Sequence, residues 1–199
     1  FLSGLFFKTA IVPFHIWIPT TYQGAPTDVA AFFSTVPKIA GFAALYHVFK
    51  WTKELFNPFL EHLILFLAIV TLLWGTLCAL RQTDIKRMLS YGAMAHSGFI
   101  LPLCLFMETY FVFKFYVVFY AIVNILAFLF VQLHENEGEK LSLTKFSGLG
   151  IKFPYLGGIS VVWAIALVGL PPTGGFLAKL LIFSTAWNYY ESMNSLYWL

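Results

Sequence analysis

Apolar stretches long enough to cross a bilayer recur along almost the whole chain, and they constrain its fold more than any other feature. A hydrocarbon core of about 30 Å takes roughly 20 helical residues, and in lipid each backbone amide must be satisfied within the protein, so helices or closed barrels do the spanning. Six spans are read at 1–19, 27–49, 59–80, 88–107, 111–133 and 156–188. Of the 199 residues, 60% are hydrophobic and 11% charged, against the quarter or so charged residues of a soluble domain. The expected fold is therefore all-α, one polytopic transmembrane helix bundle over 1–199.

The remaining composition excludes more than it suggests. A net charge of +3 scattered over loops points to neither nucleic acid nor an acidic partner. Cys78 and Cys104 fall inside apolar spans without CxxC spacing or a nearby His cluster, so they read as buried thiols and not as a disulfide or metal pair. The chain begins at Phe1, apolar at once, with no charged region or cleavage signal ahead of it; a signal peptide is not expected, and the sequence reads as a fragment. The final "SLYWL" reads as the opening of a further helix.

Loop charges orient the spans. One face receives Arg81, Lys86, Arg87, Lys140, Lys145 and Lys152, while the other receives Lys50, Lys53 and Lys114. The first, called the basic face below, is expected to be the cytoplasmic or matrix side. The polar linker at 134–155, including "ENEGEKLSLTKFSGLGIKF", should lie there too.

The last span is too long for one straight crossing. From Phe153 to Trp187 it holds a single charge, Lys179, and in its middle sits "GLPPTGG" (169–175), where prolines remove donors and glycines add freedom. A broken helix around Pro171-Pro172 is expected, with Lys179 about one turn beyond it. The first span has a similar character, with Lys8 followed by Pro13 and Pro19, and a second break is expected around Pro13. Broken helices are tolerated in membranes where the freed backbone faces protein or water, and they often mark ion sites.

Intramembrane lysines are the central chemical signal. Each costs about 2.5 to 3.5 kcal/mol at a helix centre, so three require a reason. Lys38 lies eleven residues from both Thr27 and Phe49, about 16 Å from either end and beyond easy snorkelling reach. Desolvation makes a lysine easier to deprotonate, so Lys8, Lys38 and Lys179 are candidates for a proton relay. Snorkelling, or permanent pairing with an acid of another subunit, stays open for each. His15 and His96 are weaker candidates for a hydrogen-bonded water path, with helix packing as the alternative.

These residues resemble a known family. "FKTAIVPFHIWIPTTYQGAPTDVAAFFSTVPKIAGFAAL", "DIKRMLSYGAMAHSGFIL", "FSGLGIKFPYL" and "GLPPTGGFLAKLLIF" are similar, in order, to helices seven to twelve of the antiporter-like subunits of respiratory complex I, the proton-pumping NADH:quinone oxidoreductase, and within them to the chain 2 or chain N branch. The resemblance implies that Lys8, Lys38 and Lys179 belong to a hydrophilic axis across mid-membrane. It implies proton translocation coupled to NADH oxidation and ubiquinone reduction in other subunits, which would hold the flavin, iron-sulfur clusters and quinone; no cofactor is expected in this chain. The implied setting is the mitochondrial inner membrane, with the bacterial plasma membrane as alternative. The implied partners are other membrane-arm subunits, membrane lipids, and a polypeptide carrying family helices one to six with the glutamate that switches Lys8; Glu54, Glu61 and Glu108 do not match that position. A cation/proton antiporter or hydrogenase subunit, and a non-conducting structural subunit, remain as other readings.

Overall fold

The computed structural model describes residues 1–106, 110–135, 142–146 and 148–196; Glu108, Lys140, part of the polar linker and the last three residues of "SLYWL" lie outside the described residues. Among these the regular elements are helices: α1 (Leu2–Thr9), α2 (Trp17–Gly24), α3 (Thr27–Thr52), α4 (Pro58–Leu80), α5 (Ile85–Leu105), α6 (Tyr110–His134), α7 (Leu149–Lys152), α8 (Pro154–Val168) and α9 (Gly174–Leu196). Four segments, Thr27–Leu55, Pro58–Leu80, Ile85–Leu105 and Tyr110–His134, are long and apolar enough to cross a membrane unbroken. Local signals set their ends. Asn57 and Asp84 cap α4 and α5 by accepting the backbone N–H of Leu60 and Arg87, and Pro58 opens α4 where its missing donor costs nothing.

The stretch expected to be one span at 1–19 is two helices separated at residues 10–16, and the second continues to Gly24. Ala10, in the left-handed region at φ 64°, closes α1. Pro19 does not end the element because it falls in the first turn of α2, where a backbone N–H has no helical acceptor to lose. The freed Val12 N–H donates to Thr71 Oγ1 on α4 at 3.1 Å, so the break is satisfied from a neighbouring helix. The long last stretch is likewise two helices. Gly169, at φ 79°, terminates α8, and α9 resumes at Gly174 after Pro171-Pro172.

Helices α3, α5 and α6 form the centre; α1 packs on α3, α2 on α5 and to a lesser extent α3, α4 on α5, and α8 and α9 on α6. Contact between α4 and α5 is close because two glycines permit it. A Cβ on Gly75 would stand 2.7 Å from the Ala95 backbone nitrogen, and one on Gly98 would stand 2.7 Å from the Ala68 carbonyl oxygen. The outer face of α4 shows Phe66, Ile69, Leu73 and Leu77 at helical spacing, all exposed, as befits a surface for lipid or neighbouring protein.

Two apolar clusters fill the interior. One, around Phe42, Leu45, Tyr46, Leu101, Leu103 and Tyr116, occupies the half away from the basic face. The other, around Ile18, Tyr22, Ala30, Leu89, Phe128 and Val131, occupies the basic half. Between them lies a layer of buried polar residues, among them Ser34, Thr35, Lys38, His96, Ser97 and Asn124.

The close approach of α4 and α5 makes a signed prediction. Gly98→Val drives a side chain into helix backbone and is expected to cost about 1–3 kcal/mol, whereas Gly92→Ala, with nothing within 4 Å, gains up to about 1 kcal/mol of helix propensity. Thermal unfolding in mild detergent should separate the pair, with a lower midpoint for the first and an equal or higher one for the second. Equal midpoints would contradict the packing described.

Candidate functional site

The layer is built around Lys38. Its position on the inner face of α3 leaves it 1% exposed, and its Nζ donates to the Ala93 carbonyl oxygen on α5 at 2.7 Å. That carbonyl also accepts from the Ser97 hydroxyl at 3.2 Å. The Tyr120 ring from α6 lies under the ammonium, 5.8 Å from Nζ to the ring centroid. Among the described residues no carboxylate lies within ion-pair distance of Lys38; the pair found there is Lys86 with Glu135, at the basic face. A buried ammonium held by a carbonyl and a ring face is only partly compensated for its lost hydration.

Helix α6 completes the layer with residues four apart, Tyr116, Tyr120 and Asn124, which share one face. Tyr120 donates its hydroxyl to the Ser34 carbonyl at 2.8 Å, and Asn124 Nδ2 donates to the Ser34 hydroxyl at 2.5 Å. Tyr116 and His96 are joined by a 2.7 Å hydrogen bond between the phenol oxygen and Nδ1. The imidazole centroid is 5.3 Å from that of Tyr120 and 6.5 Å from that of Phe99. Phe99 is also the ring that the Lys179 ammonium approaches, so His96 and Lys179 meet at one aromatic residue.

Lys179 reaches back across the second break. Its Nζ donates to the carbonyl of Val168, the last residue of α8, at 2.7 Å and stands 4.9 Å from the Phe99 ring centroid. The ammonium thus satisfies an orphan carbonyl and sits at the negative end of the α8 dipole. Lys8 has a related position in the last turn of α1. It is exposed on this chain, with its stem against α3, where a Cβ on Gly41 would lie 3.6 Å from the Lys8 Cγ.

Of the residues singled out from sequence, Lys38, His96 and Lys179 converge, Lys8 approaches α3 one turn from Lys38, and His15 stands apart. His15 lies in the first break with its ring 6.0 Å from Trp74, and its Nδ1 has no hydrogen-bond partner among the described residues. Cys104 is buried, 3.8 Å from the Phe42 carbonyl oxygen, and Cys78 is half-buried on another helix; both are free thiols. The tyrosines and Asn124 went unnoticed in the sequence. Their signal was the spacing 116, 120, 124, a polar stripe inside an otherwise apolar run.

A second polar cluster ties the basic face together. Lys86 Nζ lies 2.6 Å from Glu135 Oε1 and donates to the Ala25 carbonyl at 3.2 Å. Thr27 donates to the same carboxylate, and Gln23 donates to Asp84 at 3.1 Å. Away from both clusters, an apolar cavity of about 480 Å³ lies between α4, α5 and α9, bordered by Ala68, Leu72, Phe99, Pro102, Ile182 and Phe183.

Known proteins are similar to this chain in sequence and in fold. NADH-quinone oxidoreductase subunit N 2 of Thermodesulfovibrio yellowstonii is 37% identical over 190 residues, covering 94% of this chain and 41% of its own length. Subunit N 2 of Aquifex aeolicus is 37% identical over 202 residues, covering 100% and 40%. The chain therefore spans about two fifths of the length of these relatives. In the solved respiratory complex I from Thermus thermophilus, a chain superposes with a TM-score of 0.80 at 36% identity, over 93% of this chain and 40% of that one. The Mrp complex from Dietzia contains a chain at TM-score 0.86 but 24% identity, over 96% and 36%, which shows a common fold. The family model described as "NADH:quinone oxidoreductase/Mrp antiporter, TM" matches residues 1–197, and the chain is a membrane-embedded member of that family.

Proposed function

We propose that this chain belongs to a proton-translocating membrane subunit of respiratory complex I, of the chain N type, and that it relays protons across mid-membrane through Lys38, His96 and Lys179. The observation that carries the reading is Lys38: a nearly inaccessible ammonium with no carboxylate partner among the described residues, in the same polar layer as His96 and the α6 tyrosines, with a second lysine at a helix break against the neighbouring Phe99 ring. A charge neutralised by a fixed carboxylate stays put, whereas one held by a carbonyl and an aromatic face is sensitive to the next charge that approaches. His96 supplies a ring that can donate and accept between the two lysines. Identities of 37% to subunit N proteins favour the quinone oxidoreductase over the antiporter branch of the family.

Within this proposal NADH oxidation and ubiquinone reduction take place in other subunits, which hold the flavin, the iron-sulfur clusters and the quinone. Lys8, exposed on this chain, meets a glutamate from the family's first six helices, whether these are carried on the same polypeptide or on another. Other membrane-arm subunits and lipid cover the remaining apolar faces. The setting is the mitochondrial inner membrane, with the bacterial plasma membrane as the alternative, and the basic face is the matrix or cytoplasmic one.

Lys38→Ala, introduced into the assembled complex, is expected to leave the NADH-active band on a native gel intact while proton translocation per NADH falls by about tenfold or more. Unchanged translocation and turnover would overturn the relay in favour of a structural subunit. Lys179→Arg separates charge from titration, because a guanidinium keeps the positive charge beside the Val168 carbonyl but does not release its proton. Assembly should be preserved and translocation lost; preserved translocation would show that Lys179 serves as a fixed helix cap.

A further inference from the structure

One buried hydroxyl lies outside the network described above. Tyr22, on α2, is 1% exposed, and its phenolic oxygen is buried with no hydrogen-bond partner among the described residues. Its ring stacks edge-on against Phe128 of α6 and Trp17, with centroids 6.2 and 6.4 Å away. A buried hydroxyl without a partner is costly, and native proteins resolve such cases with another polar group or an ordered water.

The position of Tyr22 gives this orphan a meaning. At the basic face, Thr27 and Lys86 hold the Glu135 carboxylate. Seven residues further along α3, about 10 Å, the polar layer begins at Ser34, which Asn124 and Tyr120 hold by hydrogen bonds. The interval is lined by Ala30, Ala127, Phe128 and Val131, and Tyr22 packs among them. Phe128, which its ring meets, lies one turn along α6 from Asn124 and two turns from Tyr120. The Tyr22 hydroxyl is thus an unpartnered polar atom set in the largely apolar interval between two polar clusters.

The geometry points to a proton route from the basic face to Lys38 that passes through water held by the Tyr22 hydroxyl, with the Lys86–Glu135 pair and Thr27 at its mouth and Tyr120 at its inner end. This inference rests on the relay reading above and adds the way in. Once the Lys38 ammonium has broken one N–H bond by passing its proton on towards His96, a proton entering from bulk water ends as a new N–H bond on the neutral amine that remains. Each hydroxyl or water between takes one proton and passes one on, so Tyr22 and Tyr120 finish unchanged and nothing is oxidised or reduced.

The test uses membranes containing the assembled complex with Tyr22→Phe, Lys38→Ala as reference, and Tyr155→Phe as control, since Tyr155 is 88% exposed. Tyr22→Phe removes one oxygen and keeps the ring, so assembly on a native gel should match the control. Proton translocation per NADH is expected to fall several-fold, with a changed solvent isotope effect in heavy water that a purely structural role would not produce. If Tyr22→Phe equals Tyr155→Phe in both readouts while Lys38→Ala is defective, the route is overturned and the relay stands. If Lys38→Ala is itself without effect, the relay reading fails and the route with it. Should Tyr22→Phe fail to assemble, Thr27→Val removes the hydroxyl at the mouth, and an unchanged translocation ratio there would equally overturn the route.

Discussion

The hydrogen bond from Lys38 to the Ala93 carbonyl is the interaction on which the rest of the arrangement depends. An ammonium eleven residues from either end of its apolar run has no water within reach, so it must find oxygen in a neighbouring helix. The inner face of α3 must then meet α5 at Ala93, which brings Ser97 and His96 into the same stratum. Polar atoms introduced to receive one charge need partners of their own, and α6 supplies them through Tyr116, Tyr120 and Asn124. One buried charge thereby fixes the mutual rotation of three helices.

The two helix breaks solve a related problem at the edges of this layer. A continuous helix offers a passing ion few free backbone groups, whereas a broken one exposes a dipole end within the membrane. Both breaks here follow the C-terminal end of a half-helix, and a lysine stands at each: Lys8 in the last turn of α1, and Lys179 reaching the last carbonyl of α8. The negative dipole end partly offsets the cost of the cation without adding a carboxylate that would hold it permanently. Thr71 performs the complementary service, accepting the N–H released at Val12.

How much of this could be read from sequence follows from what generates each feature. The all-helical class and the two breaks came from departures in composition or length, since proline, glycine and lysine are conspicuous in apolar runs. The convergence of Lys38, His96 and Lys179 was not visible, because it depends on helix rotation and register, which packing sets. His15 and His96 show the limit. Both read as histidines in apolar surroundings, yet one meets Tyr116 in the central layer and the other lies against Trp74 in a break. Tyrosines in membrane chains usually mark the interface; here Tyr116 and Tyr120 are buried hydrogen-bonding groups, which only the packing reveals.

The two apolar clusters that enclose the layer are not equivalent, and the difference bears on direction. In the half away from the basic face, the Tyr116 hydroxyl is committed to His96 and the Cys104 thiol approaches the Phe42 carbonyl. Water entering there would find those groups already engaged. In the basic half, Tyr22 presents a buried hydroxyl with no partner among the described residues, within the apolar cluster of that half. A water molecule needs several polar partners to offset its transfer into protein, which is why the route proposed above approaches Lys38 from the basic side. On the proposed relay, a charge that reaches Lys38 from there has the engaged Tyr116 and Cys104 groups ahead and His96 to its side, so the onward course is lateral, towards Lys179. Lateral transfer between separate entry and exit routes is what keeps a membrane proton path from becoming an open leak.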